Sequence, residues 1–275
     1  MRTYGRDVRH LRTLSAVIED SIAIFAQDVS EYAFVGLMGG ATACIAALIL
    51  GLIGNPISSA LIPPVVIILA VLTHATIAQA FRAVTENLEP ESARAFAGVT
   101  ARAGLLLRPF VPLAAALAVA AGGIAVADSY VPSIIVRALD AVALAGAAIY
   151  LLPRSFVIIA LVMQGGGAND ALQGSSALIA RSPTKVLLAA ILCAAPSILF
   201  SLIGLATGFG FLATALLAFV VVGTMPFAAI VMSLLFFDAI ARTSAAAPPP
   251  RSSASSIMRE AGLGGAVAGR SARRR

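Results

Sequence analysis

The sequence predicts an all-α polytopic membrane protein, and three observations carry this prediction. Hydrophobic residues make up 60% of the 275-residue chain and charged residues only 12%, about half the charged share of an average soluble domain. The apolar residues fall in six stretches that each reach the ~20 residues a helix needs to cross a bilayer. Basic residues alternate between the segments that join these stretches. The predicted spans are residues 33–54, 61–81, 105–127, 134–163, 186–207 and 209–240.

An amphipathic segment, residues 14–32, precedes the first predicted span. Its apolar side chains recur at three- and four-residue steps, and its acidic side chains lie mostly on other faces. Thr13 or Ser15 is placed to cap its first turn. We therefore expect an elbow helix that lies in the membrane interface before the chain turns into the bilayer. The predicted apolar stripe is Leu14, Val17, Ile18, Ile22, Phe25, Val29 and Tyr32.

Two further segments occupy comparable positions, residues 92–102 before the third span and residues 168–180 before the fifth. Ser15, Arg94 and Ala171 mark equivalent points, 79 and 77 residues apart. One interpretation is a threefold repeat in which an elbow helix precedes a hairpin of spans. The other is that any chain entering a bilayer shows the same amphipathic chemistry.

The basic residues predict an orientation. Residues 1–13 carry four arginines, and the links after the second and fourth spans are also basic, whereas the links after the first, third and fifth spans carry no basic residue. Because basic loops stay in the cytoplasm, we expect both termini there, in a bacterial inner (plasma) membrane. Residues 243–275 have too few apolar residues to build a core and predict a disordered basic tail. Its arginines either reinforce the topology or touch anionic lipids.

Ionisable residues inside a span are costly and mark functional sites by default. His74 lies well inside the second predicted span. It is either a ligand or proton-relay residue, or an imidazole hydrogen-bonded to a neighbouring helix. Arg154 follows Pro153 in the fourth stretch, which is longer than a perpendicular crossing needs. It either snorkels to the inner headgroups or points into the bundle. If a working site lies within the bilayer, its first candidate position is where the fourth span meets His74.

Two pairs of opposite charge lie at helical spacing. Arg137 and Asp140 stand three residues apart at the outer start of the fourth span, and we expect them to neutralise each other. With His74 and Arg154 they complete the candidate intramembrane polar site. Asp238 and Arg242 stand four residues apart at the inner membrane edge. They predict an ion pair or an anchor for the helix end.

The sequence does not predict an enzyme. It contains no HExxH, GxSxG or GxxxxGK[ST] motif. Cys44 and Cys193 lie inside apolar stretches, where they are interpreted as packing residues. No acidic residue or second histidine stands at ligand spacing from His74, so we predict no metal site and no cofactor. The net charge of +6 comes largely from the tail and does not indicate a nucleic-acid partner.

Two segments together resemble a known family. The first runs from Leu152-Pro153-Arg154-Ser155-Phe156 to Arg181, and the second from Met225-Pro226-Phe227 to Phe236-Phe237-Asp238 and Arg242. Across residues 14–242 the chain resembles the six-span bacterial membrane domain N-terminal to some glycerophosphodiester phosphodiesterases, and its stand-alone relatives of unknown function. The Phe-Phe pair stands where that family tends to have tyrosine. The resemblance implies a six-span fold and carries no catalytic residue to this chain.

These observations predict a non-enzymatic membrane module that serves interaction, anchoring or lipid association. Its expected partners are the lipid bilayer, anionic lipids at the basic tail, and a protein that the sequence does not identify. The alternative is a small transporter or channel subunit that uses a polar site around His74 and Arg154.

Overall fold

A computed structural model describes residues 12–86, 88–207 and 210–246, and all regular structure in these residues is helical. The predicted basic segment 1–13 lies mostly outside the described residues, as do the turn at residues 208–209 and the tail from residue 247 onward. The α-helices are α1 Leu14–Gln27, α2 Val29–Ile53, α3 Pro56–Thr85, α4 Ser92–Thr100, α5 Ala103–Leu107, α6 Val111–Ala127, α7 Ser133–Leu151, α8 Val157–Met163, α9 Ala168–Arg181, α10 Pro183–Thr207, α11 Phe211–Gly223 and α12 Met225–Ala246.

The chain divides into two compact units, Met1–Ala241 and Arg242–Arg275. The described part of the second unit is the last turn of α12.

The predicted fold class is confirmed. Six helical segments are long and apolar enough to cross a membrane, and each overlaps one predicted span. The third, fourth and sixth segments are interrupted, the first two of them by 3-10 turns at Arg108–Phe110 and Leu152–Arg154. The six segments are Val29–Ile53, Pro56–Thr85, Ala103–Ala127, Ser133–Met163, Pro183–Ala206 and Phe211–Arg242.

The turn of the first hairpin is encoded locally. Gly54 ends α2 in the left-handed conformation, with a φ of 66°, which glycine adopts without steric cost. Asn55 then caps α3, because its side chain accepts from the Ser58 N–H while the Ser58 hydroxyl accepts from the Asn55 N–H. Pro56 opens the helix at a position where no backbone donor is needed. The two spans are therefore joined tightly.

The first elbow helix is shorter than predicted. Its cap is confirmed, since the Thr13 hydroxyl accepts from the Ala16 N–H at 3.3 Å. The helix ends at Gln27, because Asp28 leaves the helical region at φ −128° and ψ 44°. The predicted end at Tyr32 is wrong, and Val29 begins the first span. At this corner the rings of Phe25 and Tyr32 stack with centroids 6.1 Å apart.

The residues of the predicted apolar stripe do not all face the protein. Val17, Ser21 and Ile24 form the buried face, whereas Ile22 and Val29 are exposed. A helix at a membrane interface contacts protein on one side and lipid on another, so a single stripe cannot show which apolar residues face the protein.

Three elbow helices recur along the chain. α1, α4 and α9 begin at Leu14, Ser92 and Ala168, and each leads into a pair of spans. We call the end of the spans where these helices lie the elbow side, and the end where the hairpins turn the hairpin side. Side-chain contacts hold two of the elbow helices. The Glu31 carboxylate accepts from the first N–H of α4 at 3.1 Å, and the Ser175 hydroxyl of α9 donates to the Pro153 carbonyl at 2.9 Å.

The returning span of each hairpin ends in a buried segment. α8 is buried from Val157 to Val162, whereas α7 of the same span buries no residue. Aromatic rings join the buried segments of the three returning spans. The rings of Phe156 and Phe236 lie with centroids 5.9 Å apart, and those of Phe81 and Phe237 lie 6.4 Å apart. The densely packed core therefore lies toward the elbow side. The hairpin side of the second hairpin exposes apolar side chains that suit lipid.

Candidate functional site

A cavity of about 1000 Å³ lies between α1, α2, α10 and the junction of α11 with α12. Its lining is mostly apolar and includes Ile18, Phe34, Leu37, Phe200 and Phe227, with Ser30 and Thr224 among the few polar groups. Phe34 and Leu37 are each more than half exposed. Because they lie on a span, the cavity opens toward the surface that faces lipid.

An interruption of the sixth span forms one wall of this cavity. α11 ends at Gly223 and α12 begins at Met225. The Thr224 hydroxyl donates to the Val220 carbonyl at 2.8 Å, and Pro226 has no N–H to continue the ladder. Irregular backbone at membrane depth is tolerated where it is buried in protein or lines a cavity. The break at residue 224 fits this rule, since both Thr224 and Pro226 line the cavity.

Glycines on α2 allow this wall to approach closely. A Cβ added to Gly36 would lie 2.6 Å from Pro226 Cγ and 2.9 Å from the Gly223 carbonyl oxygen. A Cβ added to Gly40 would lie 3.0 Å from the Phe219 carbonyl oxygen. Small residues four apart are the usual means by which membrane helices pack backbone to backbone. They fix α2 against α11 and α12 on one side of the cavity.

A buried polar cluster ties three helices together on the elbow side. The Lys185 ammonium at the start of α10 donates to Asp238 Oδ2 at 2.7 Å and also to the Arg12 carbonyl. Asp238 Oδ1 accepts from the Arg12 N–H at 2.7 Å. The Arg12 guanidinium bonds Asp20 on α1 at 2.9 Å. Asp238 is only 2% exposed and Lys185 15%, so the ion pair is largely desolvated.

Asp238 therefore has partners that spacing along α12 did not indicate. The predicted pairing of Asp238 with Arg242 stays a prediction. Lys185 is the chain's only lysine, among eighteen arginines. Its being the only lysine is the one feature of the sequence that sets this position apart.

Arg154 lies at the interruption of the fourth span. Its Nη1 donates to the Tyr150 carbonyl at 2.9 Å, and its Cζ lies 3.6 Å from the centroid of the Tyr150 ring. The Tyr150 hydroxyl donates to the Pro109 carbonyl at 3.0 Å, which joins the interruptions of the third and fourth spans. The Ser175 hydroxyl also accepts from the Phe156 N–H at 3.3 Å. Side chains thus bond backbone groups at both breaks.

His74 is buried in the half of α3 that leads to the elbow side. Its Nε2 has no hydrogen-bond partner among the described residues. The hydroxyl of neighbouring Thr76 donates within the helix to the Leu72 carbonyl at 2.8 Å. Neither His74 nor Arg154 lines the large cavity.

No ion pair joins Arg137 and Asp140, both of which are described. The expectation that they neutralise each other is therefore wrong. Arg137 Nη1 donates instead to the Ala206 carbonyl in the last turn of α10, at 2.8 Å. A cation is favoured at the C-terminal end of a helix, where carbonyls lack intrahelical partners. This bond ties the fourth span to the fifth on the hairpin side.

Within the described ranges no group of three or more His, Cys, Asp or Glu side chains could hold a metal ion. Comparisons with protein-family models, with curated proteins and with solved structures found no match to this chain. The helices therefore define its class, which is an all-α multi-pass membrane protein.

Proposed function

We propose that this protein is a non-enzymatic, lipid-associated membrane module whose lateral cavity holds lipid acyl chains. The cavity is the observation that carries the proposal. A volume of about 1000 Å³ is at the upper end of the range for ligand sites, ~300–1,000 Å³. Its lining offers apolar contact and few polar groups, which suits a hydrocarbon chain better than an ion or a polar solute.

The opening toward lipid supports the same ligand class. A lipid whose chain enters between α2 and α10 leaves its headgroup at the interface, near the elbow helix α1. Each methylene that moves from water into such a site contributes roughly 0.8 kcal/mol, but a chain that comes from the bilayer gains only improved packing. We therefore expect occupancy of the cavity to depend on how well the shape of an acyl chain fits it.

A cavity-filling variant tests this function. Cys193→Phe places a ring in the cavity that Cys193 lines, and we expect fewer lipids to remain with the purified protein after extended washing in mild detergent. Retained lipid is counted by native mass spectrometry. Ala148→Phe, at an exposed position of α7, is the matched control and is expected to retain as much lipid as the wild type. Equal retention by Cys193→Phe would refute the acyl-chain site.

The orientation remains part of the proposal. We propose a bacterial plasma membrane as the location, and the alternation of basic links supports an orientation with both termini in the cytoplasm. In a background without Cys44 and Cys193, single cysteines at residues 55–60 or 128–133 are expected to react with an impermeant thiol reagent added outside intact cells. Cysteines at Arg94 or Asp170 are expected to react only after lysis. Reaction at either of these two positions before lysis would reverse the orientation.

The transporter alternative needs His74 and Arg154 to share a polar cavity. The large cavity is lined by neither residue, which favours lipid association. The resemblance to the membrane domain of some glycerophosphodiester phosphodiesterases also fits a module that acts near lipid, and it stays a proposal.

A further inference from the structure

We propose that Arg154 and Arg108 form a binding site for a phosphate group, and that the phosphodiester of a membrane lipid headgroup occupies it. The site lies where the third and fourth spans are interrupted. It shares no lining residue with the acyl-chain cavity.

Both arginines lie at the same depth. From Ser133 to Arg154 a helix rises about 32 Å, and from Arg108 to Ala127 about 29 Å, at ~1.5 Å per residue. The hydrocarbon core of a bilayer is ~30 Å thick. Tyr130, in the turn that joins these spans, is 83% exposed and marks the opposite interface. The two guanidinium groups are therefore placed at the headgroup level on the elbow side.

Tyr150 links the two chain segments that carry Arg108 and Arg154. Its hydroxyl bonds the carbonyl of Pro109, the residue that follows Arg108, at 3.0 Å. Its ring lies under the Arg154 guanidinium, 3.6 Å from Cζ to the centroid. This contact, together with the bond to the Tyr150 carbonyl, restrains the guanidinium before any ligand arrives, which lowers the entropic cost of binding.

The charges of both arginines are uncompensated within the described residues. Arg12, Arg82 and Arg94 each have a carboxylate within 4 Å, whereas Arg108 and Arg154 have none. The Arg154 Nε is buried and makes no hydrogen bond, although its Nη1 is bound to the Tyr150 carbonyl. A buried donor without a partner is unfavourable, and a guanidinium in a fixed plane matches two oxygens of a phosphate.

Titration with lipid tests the site. Native mass spectrometry of the full chain in detergent measures binding of dioleoyl phosphatidylglycerol to the wild type, Arg154→Gln, Arg108→Gln and Arg94→Gln. We expect roughly tenfold weaker binding for Arg154→Gln, as the loss of a charge-assisted bond implies, and weaker binding for Arg108→Gln. Arg94, exposed and paired with Glu91 at 3.4 Å, is the matched control, and its variant should bind as the wild type does.

Two outcomes contradict the proposal. If Arg154→Gln and Arg108→Gln both bind phosphatidylglycerol as tightly as Arg94→Gln does, the site does not exist. Arg108 is exposed, so its variant remains informative even if Arg154→Gln fails to fold. In a second experiment, inorganic phosphate or glycerol phosphate competes with the lipid for the wild-type protein. If either displaces the lipid at equal concentration, the occupant is a soluble phosphate and the lipid assignment is overturned.

Discussion

Replacing Lys185 with methionine is expected to lower the free energy of unfolding by about 3–5 kcal/mol, because it removes the ammonium that forms an ion pair with a buried carboxylate. Asp238 is almost fully buried, and its Oδ2 lies 2.7 Å from the Lys185 ammonium. The same ammonium bonds the Arg12 carbonyl, so the variant also loosens the start of α1. The measurement is reversible denaturation in mixed micelles, followed by circular dichroism.

Two companion variants separate the buried pair from a general effect of charge. Arg94→Gln breaks an exposed pair with Glu91 and should change the unfolding free energy by less than about 1 kcal/mol. The double variant Lys185→Met with Asp238→Leu removes both charges and should recover much of the loss, since apolar pairs often replace buried ion pairs without cost. If Lys185→Met is as stable as Arg94→Gln, the cluster does not hold α1, α10 and α12 together.

Adding a single methyl group at Gly36 is expected to destabilise the wall of the cavity by about 1–3 kcal/mol. The new Cβ would lie 2.6 Å from Pro226 Cγ and 2.9 Å from the Gly223 carbonyl oxygen. The carbonyl belongs to the backbone, so α2 must move away from the junction of α11 and α12. Thermal unfolding of Gly36→Ala in detergent measures the cost, and lipid retention shows whether the cavity changes with it.

Gly123→Ala is the matched control for this substitution. Gly123 also lies inside a span, on α6, but a Cβ there would meet no atom within 4 Å. Alanine is favoured over glycine within a helix by up to about 1 kcal/mol, so Gly123→Ala should be neutral or stabilising. A Gly36→Ala variant as stable as Gly123→Ala would mean that α2 does not pack against Pro226 as described.

The sequence predicted those features that depend on residues close together along the chain. Apolar runs of sufficient length located all six spans, and the Thr13 cap followed from its position before an amphipathic segment. The end of α1 was missed because the apolar stripe continues through Asp28 to Tyr32 while the backbone breaks there. A periodic pattern does not show a change of helix axis when both helices continue the same spacing.

Contacts between residues that are far apart in the sequence could not be predicted from it. Local spacing indicated only Arg242 as a partner of Asp238. The ion pair with Lys185, 53 residues back, and the bond with the Arg12 N–H, 226 residues back, could not be read from that spacing. The cavity could not be predicted either, since five separate helices line it. The contact of Arg154 with the Tyr150 ring also depends on packing geometry that helical spacing alone does not fix.

The claim that the cavity holds acyl chains is tested most directly by fluorescence. The chain contains no tryptophan, so Phe227→Trp gives a single emitter in the cavity wall. In nanodiscs with lipids brominated on their acyl chains, we expect this emission to be quenched nearly as strongly as that of Val119→Trp, an exposed position on α6. Phe236→Trp, in the buried core, should stay bright. If Phe227→Trp stays as bright as Phe236→Trp, no acyl chain enters the cavity and the proposed function is contradicted.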